Sequence, residues 1–213
     1  MITIEEAEAE QERLRTLADL TDPGPAQVMT VAGLDVGYPP GSDEVTGAVV
    51  VMDVATLEVV DRAVVREPVS FPYVPGLFAF REIPPLLTAL SRLTITPDVL
   101  LCDGYGTAHP RRFGLASHLG VLTGLPAFGV AKTAFVGTHD LPGPARGAHT
   151  PILLGTEEVG RALRTRDAVK PVYVSQGHRF ALGRACDLVL TLTPRFRLPE
   201  PLRHADQLSR TRP

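Results

Sequence analysis

The chain has 213 residues, 44% hydrophobic and 21% charged, which is ordinary for a water-soluble globular protein with one sizeable core. No apolar run approaches the roughly 18 residues of a membrane span, and the acidic, helix-like start MITIEEAEAE lacks a signal peptide's apolar stretch, so a cytoplasmic protein with no membrane partner is expected. The net charge of −3 hides an asymmetry: residues 1–100 carry six Arg against 16 acids, and residues 101–213 carry 15 Lys and Arg against eight acids. Those halves stand at −10 and +7, a distribution that suits a polyanion groove on one side of a globule. Cys102 and Cys186 lie among apolar neighbours and read as core residues, not as a disulfide or a metal pair.

In chain order, Thr3 and Glu6 form a capping box and predict a helix to about residue 20, with Ile4, Ala7, Leu14, Leu17 and Ala18 facing inward. Strands are predicted at 28–36, 47–54 and 58–65, an antiparallel meander. FPYVPG at 71–76 cannot be regular structure, because two prolines and a glycine break any ladder. Residues 77–93 are helical in pattern, with Pro84 and Pro85 expected to split or kink the helix after Glu82. A strand at 98–102, a helix at 113–123, a strand at 127–130, a loop at 141–144 and a small hairpin of 152–154 and 159–163 follow. A strand at 172–174, a helix at 179–190 and a short helical turn carrying Asp206 complete the pattern. Meandering strands followed by alternating helix and strand read as a single α/β domain, 1–213, with a mixed sheet flanked by helices.

Chemistry gathers at 101–118, LCDGYGTAHPRRFGLASH. A buried strand ends at Asp103, beside Gly104 and Gly106, where open α/β sheets place their ligands. His109, Arg111 and Arg112 follow in the same loop. Asp35 also terminates an apolar strand, Glu82 lies in the helix between the two strands, and Asp206 comes from the tail. If Asp35 and Asp103 meet, two carboxylates at about 4 Å repel by about 4 kcal/mol at an effective dielectric of 20. A divalent cation is the usual remedy, and hard carboxylates suit Mg²⁺. Lys132 and Lys170 are the only lysines, so Lys132 beyond a strand end is a further candidate. The histidines and cysteines show no zinc-ligand spacing.

DGYGTAHPRRFGLASH resembles the endonuclease V signature, and VAGLDVGY, FPYVPGLFAFRE, GVAKT and LPEP-x-R agree with that family in order, from about Val31 to Asp206. The resemblance implies a ribonuclease H-like fold and metal-dependent cleavage beside a deaminated purine. It implies that Asp35 and Asp103 are direct ligands of Mg²⁺, with Mn²⁺ able to substitute, and that Glu82 acts on metal-bound water. Asp206 is a looser match, since the family carries Asp or His there. His109 then donates to a phosphate or base, and Lys132 holds the scissile phosphate or orients the nucleophile. Arg111 and Arg112 are candidate phosphate contacts.

From the residues alone, Tyr73 in Pro72-Tyr73-Val74-Pro75 is either a rigidly presented wedge that fills the gap left by an unstacked base or a tight-turn residue packed on Phe71. The family's P-Y-I-P wedge favours the first. Gly76, Gly104, Gly106 and Leu115 are then candidates to line a base pocket, while Tyr105 departs from the Gln or Asn common in the family. The expected activity is cleavage of the second phosphodiester bond 3′ of deoxyinosine in DNA, by a monomer. Inosine-containing RNA is the alternative substrate, and a module that binds nucleic acid without cutting it is the alternative class.

Overall fold

A computed structural model of the chain describes residues 2–211. Its centre is one eight-stranded sheet in the order β3-β2-β1-β4-β5-β8-β7-β6. The strands are β1 Thr30–Gly37, β2 Glu44–Asp53, β3 Val59–Pro68, β4 Val99–Asp103, β5 Ala127–Ala131, β6 His149–Leu154, β7 Glu157–Leu163 and β8 Val172–His178. β1, β4 and β5 are parallel neighbours; every other pairing is antiparallel. The meander and the alternation that follows it are as the sequence predicts. The predicted small hairpin forms as antiparallel β6 and β7, and β7 pairs with β8 and carries it into the main sheet.

Helices α1 Ile4–Arg15, α2 Ala79–Ser91, α3 Leu115–Thr123, α4 Leu182–Thr191 and α5 Glu200–Ser209 cover the two faces. One face packs Ala32, Leu34, Val49, Leu100 and Cys102 beneath Ile83 and Leu86 of α2 and Leu119 of α3. The other packs Val31, Val99, Leu101, Phe128 and Val130 beneath Val189 of α4 and Leu202 of α5. Alternation along each strand divides the residues between the layers. Cys102 and Cys186 are both buried and unpaired. Among the described residues no helix is long and apolar enough to cross a membrane.

Two contacts set how close the helices lie. A methyl group on Gly33 would stand 2.3 Å from the Pro201 carbonyl, and one on Gly47 would stand 2.7 Å from that of Pro85. Bare strand backbone therefore meets the backbone of α5 on one face and of α2 on the other. The second contact bears on Pro84 and Pro85, which lie inside α2 without splitting it. Each removes a helix hydrogen bond, but the seat on Gly47 and the burial of Ile83, Leu86 and Ala89 hold the helix together.

Other boundaries shift for identifiable reasons. The capping box forms as predicted, with Thr3 Oγ1 accepting from the Glu6 N–H and Glu6 accepting in return. α1 nevertheless ends at Arg15, not near 20, leaving Leu17 and Leu20 exposed and placing Ala7, Gln11 and Leu14 inward. Ile4, counted in the inward stripe, is exposed as well. The chain leaves the helix because Asp19 bonds β8's end, its N–H donating to His178 Nδ1 at 3.1 Å and its carbonyl accepting from Arg179 at 2.7 Å. Arg179 has φ 48°, left-handed backbone that no helix can include, so α4 starts at Leu182 instead of 179.

Candidate active site

Leu34 pairs with Cys102 at the end of the parallel β1–β4 pairing, so Asp35, two residues before the end of β1, and Asp103, the last residue of β4, are the next residues out and share a face. That is the α5 face. Gly33 and Gly37 flank Asp35 at a spacing of two, and a methyl on Gly37 would stand 2.6 Å from the Ser209 carbonyl. The two glycines thus let α5 lie close enough for Ser209 Oγ to donate to Asp35 Oδ2 at 2.8 Å. Asp206 sits on the same helix, paired with Arg210 at 2.6 Å. Glu82 arrives from α2, on the opposite layer, and is only 7% exposed; the Tyr38 hydroxyl donates to its Oε1 at 3.0 Å.

These acids feel one another. Burial pushes the Asp35 carboxyl up to about 6, and the charge of Asp103 adds to the rise against the Ser209 hydrogen bond. Burial likewise pushes Glu82 up to about 8, opposed by Tyr38 and reinforced by Asp35 and Asp103. Lys132 Nζ lies 2.6 Å from Asp103 Oδ2. Burial disfavours its charge, but the Asp103 hydrogen bond and the charges of Asp103, Asp35 and Asp206 raise its pKa on balance. Among the described residues, no group of three or more His, Cys, Asp or Glu converges closely enough to hold a metal ion. The cation in contact with Asp103 is the lysine. The donor set, hard carboxylate oxygens crowded against burial and mutual repulsion, still suits a divalent cation.

The raised carboxyls carry a pH signature. Both Asp35 and Glu82 bind protons more tightly folded than unfolded. Their stabilising contribution is therefore full below the unfolded carboxylate range of about 4 and is lost as pH rises through about 6 and then about 8. With a chelator present, the wild-type melting temperature is expected to fall relative to that of Glu82→Gln across this window. Parallel curves for the two proteins would contradict the assignment.

Beside the acids opens a cavity of about 420 Å³, lined by Glu82, Asp103 and Lys132 together with Tyr73, Phe78, His109 and Phe135. Tyr73 is 70% exposed and meets Phe78 edge-on at 5.3 Å; it does not pack into the core. Pro72 and Pro75 are exposed beside it, while Val74 packs against the Ala7, Phe71 and Leu77 cluster. Gly76 (φ 83°), Gly104 and Leu115 line the cavity. Gly106 is not among the lining residues: a methyl there would stand 1.9 Å from the Gln176 carbonyl, and its N–H donates to Ser175 Oγ at 2.9 Å. It joins the loop to β8.

The His109 imidazole is pushed down to about 4 by burial first and then by the charge of Arg111. It is neutral near pH 7, with Nδ1 accepting from the Arg111 N–H at 3.2 Å. A hydrogen bond from the Tyr105 hydroxyl to the Thr133 carbonyl at 3.1 Å ties that side chain to the loop after β5. Arg111 is paired with Glu8, and Arg112, at φ 58°, with Glu157 at 2.8 Å.

Several side chains that sequence reasoning passed over hold this site. The wholly buried Gln11 of α1 donates from Nε2 to the Gly76 carbonyl at 3.0 Å and to the Phe113 carbonyl at 2.9 Å, pinning the Tyr73 loop to the 101–118 stretch. Its signal was a glutamine four residues after Ala7 and three before Leu14, on the inward stripe. Arg197 donates to the carbonyls of Lys132, Lys170 and Pro171, fixing the backbone under Lys132. Replacing Gln11 with Ala removes its hydrogen bonds to two carbonyls and is expected to cost about 1–3 kcal/mol. A lowering of the melting temperature by several degrees is the check, and an unchanged value would contradict it.

The sheet order, the acids at the ends of its parallel β1 and β4, and the adjoining pocket define a ribonuclease H-like nuclease. The chain matches the Endonuclease V family over residues 12–207. Endonuclease V of Streptomyces coelicolor is 57% identical over 98% of this chain and 90% of its own length. The crystal structure of Streptomyces avermitilis Endonuclease V superposes with a TM-score of 0.95 at 55% identity, covering 99% of this chain and 92% of that one. That of Ciona intestinalis Endonuclease V, in complex with a 23-mer DNA containing an inosine followed by a ribo-adenosine, has a TM-score of 0.85 at 30% identity, covering 98% and 97%. The chain belongs to the endonuclease V family, hydrolases that cut nucleic acid internally.

Proposed function

We propose that residues 1–213 form a single DNA-repair nuclease domain that recognises deoxyinosine in DNA and hydrolyses the second phosphodiester bond on its 3′ side, leaving 3′-hydroxyl and 5′-phosphate ends. The observation that carries this reading is the junction of the acidic strand ends with a pocket overhung by an exposed aromatic on a proline-framed loop. Asp35 and Asp103 would hold Mg²⁺, or Mn²⁺ in its place, with Asp206 and Glu82 nearest to complete the set. When bound, the cation polarises the phosphodiester and lowers the pKa of a water. Glu82, with its raised pKa, is the group suited to take a proton near neutral pH. Lys132 holds the scissile phosphate, exchanging its contact with Asp103 for it. Tyr73 fills the gap left by the extruded base, and neutral His109 donates a hydrogen bond inside the pocket. Arg111 and Arg112 reach phosphates by releasing Glu8 and Glu157. Two unpaired buried cysteines accord with a cytoplasmic setting, and a monomer contains every residue named.

Labelled duplexes that differ only in inosine or adenine at one position test the reading. Cleavage of the inosine strand alone, one nucleotide beyond the lesion and only with Mg²⁺ or Mn²⁺, is expected; equal cleavage of both strands would contradict it. A second reading, an endoribonuclease on inosine-containing RNA, is favoured by the ribo-adenosine in the strand bound by the Ciona protein. The matched RNA strand in the same assay separates the two.

A further inference from the structure

We propose that a second depression, adjoining the base pocket, is a subsite for the phosphate on the 3′ side of the cut, with Arg210 and Arg203 as its cationic contacts. The inference rests on the nuclease reading above and names where its substrate strand continues. The depression, of about 270 Å³, is lined by Leu198, Leu202, Arg203, Asp206, Gln207 and Arg210, together with Asp103 and Lys132. Those last two also line the base pocket. A strand whose base enters the first cavity and whose phosphate lies over Asp103 and Lys132 therefore leads into the second.

The lining is built to receive a phosphate. Three cations, Lys132, Arg203 and Arg210, face two carboxylates, Asp103 and Asp206. The Arg203 guanidinium lies 3.3 Å from the centroid of the Phe196 ring and is paired with Glu200 at 2.7 Å, so its plane is fixed in advance. Arg210 is the more exposed partner: its side chain is 72% exposed and pairs with Asp206 at 2.6 Å. Many other cations of the basic half have structural partners. Arg146, Arg164 and Arg197 donate to backbone carbonyls, and Arg111, Arg112 and Arg179 are paired with acids from distant elements. Half-buried Leu198 supplies apolar surface for the sugar beside that phosphate.

The test uses an inosine-containing DNA strand in which the phosphate next 3′ to the cut is replaced by an uncharged methylphosphonate. Binding is measured by fluorescence anisotropy in chelator, for the wild type and Arg210→Gln. Neutralising the phosphate should weaken wild-type binding about tenfold, as loss of a charge-assisted contact does. Arg210→Gln should weaken binding to the ordinary strand by a similar factor and lose nothing further on the methylphosphonate strand. Its slope of log K against log salt should be shallower by about 0.7–0.9. Losses that multiply in the variant, or an Arg210→Gln protein that binds like wild type, would overturn the subsite. Cleavage of the unmodified strand by the wild type with Mg²⁺ is the control: if it succeeds and the losses multiply, only the subsite falls. A wild type that neither binds nor cuts the inosine strand removes the nuclease reading and the subsite with it.

Discussion

Asp103→Asn is expected to abolish cleavage, by about a thousandfold or more, while inosine binding in the absence of metal stays close to wild type. The carboxylate ends β4 beside Asp35, and it is in contact with Lys132. An amide in its place keeps the shape but cannot hold a divalent cation, whose stabilisation of the transition state amounts to several kcal/mol. Affinity comes instead from phosphate contacts and the pocket, which the change leaves in place. Two effects on stability oppose each other: the substitution relieves repulsion with Asp35 and removes the partner of half-exposed Lys132. The melting temperature should consequently move little. Single-turnover cleavage, metal-free binding and a melting curve on one preparation check all three statements. Near-normal turnover, or a fall of many degrees, would contradict them.

Tyr73→Ala should weaken inosine-specific binding to a fully paired duplex by roughly 5- to 150-fold, because a base–aromatic stack contributes about 1–3 kcal/mol. Single strands should lose less, since less stacking has to be broken before the base can enter the pocket. Folding should hardly change, because the side chain is 70% exposed and its ring meets that of Phe78 edge-on. A buried aromatic behaves in the opposite way: truncation costs about 3–5 kcal/mol of stability and affects every substrate alike. The duplex-to-single-strand activity ratio and the melting temperature of the variant decide between the two. Equal loss on both substrates, with a lower melting temperature, would remove Tyr73 from the role of wedge.

Much of this was legible in the chain because local chemistry and global architecture agree there. Val99 to Cys102 and the residues before Asp35 are apolar runs stopped by an acid, and parallel pairing sets those acids side by side. Proline on both sides of Tyr73 forecasts a side chain held out of the core, and Tyr73 is exposed. What stayed hidden depends on long-range partners. Gly33 and Gly37 have no evident role in the sequence; only with α5 lying on them does G-L-D-V-G become a seat for Asp35. Gly106 reads as a ligand-cradling glycine, yet the backbone it admits is that of Gln176. The basic half reads as a polyanion surface, yet Arg146, Arg164 and Arg197 bond carbonyls of their own chain. Composition counts charges without their partners, and the partners lie far away in sequence.

The account turns on whether the acids at the ends of β1 and β4 bind a divalent cation that they do not already enclose. Calorimetric titration of Mn²⁺ into the wild type and Asp35→Asn, without nucleic acid, tests this most directly. Binding by the wild type, accompanied by proton release near pH 7 as the raised carboxyls ionise and lost in Asp35→Asn, is the predicted result. Equal binding by the two proteins, or none by the wild type, would contradict it.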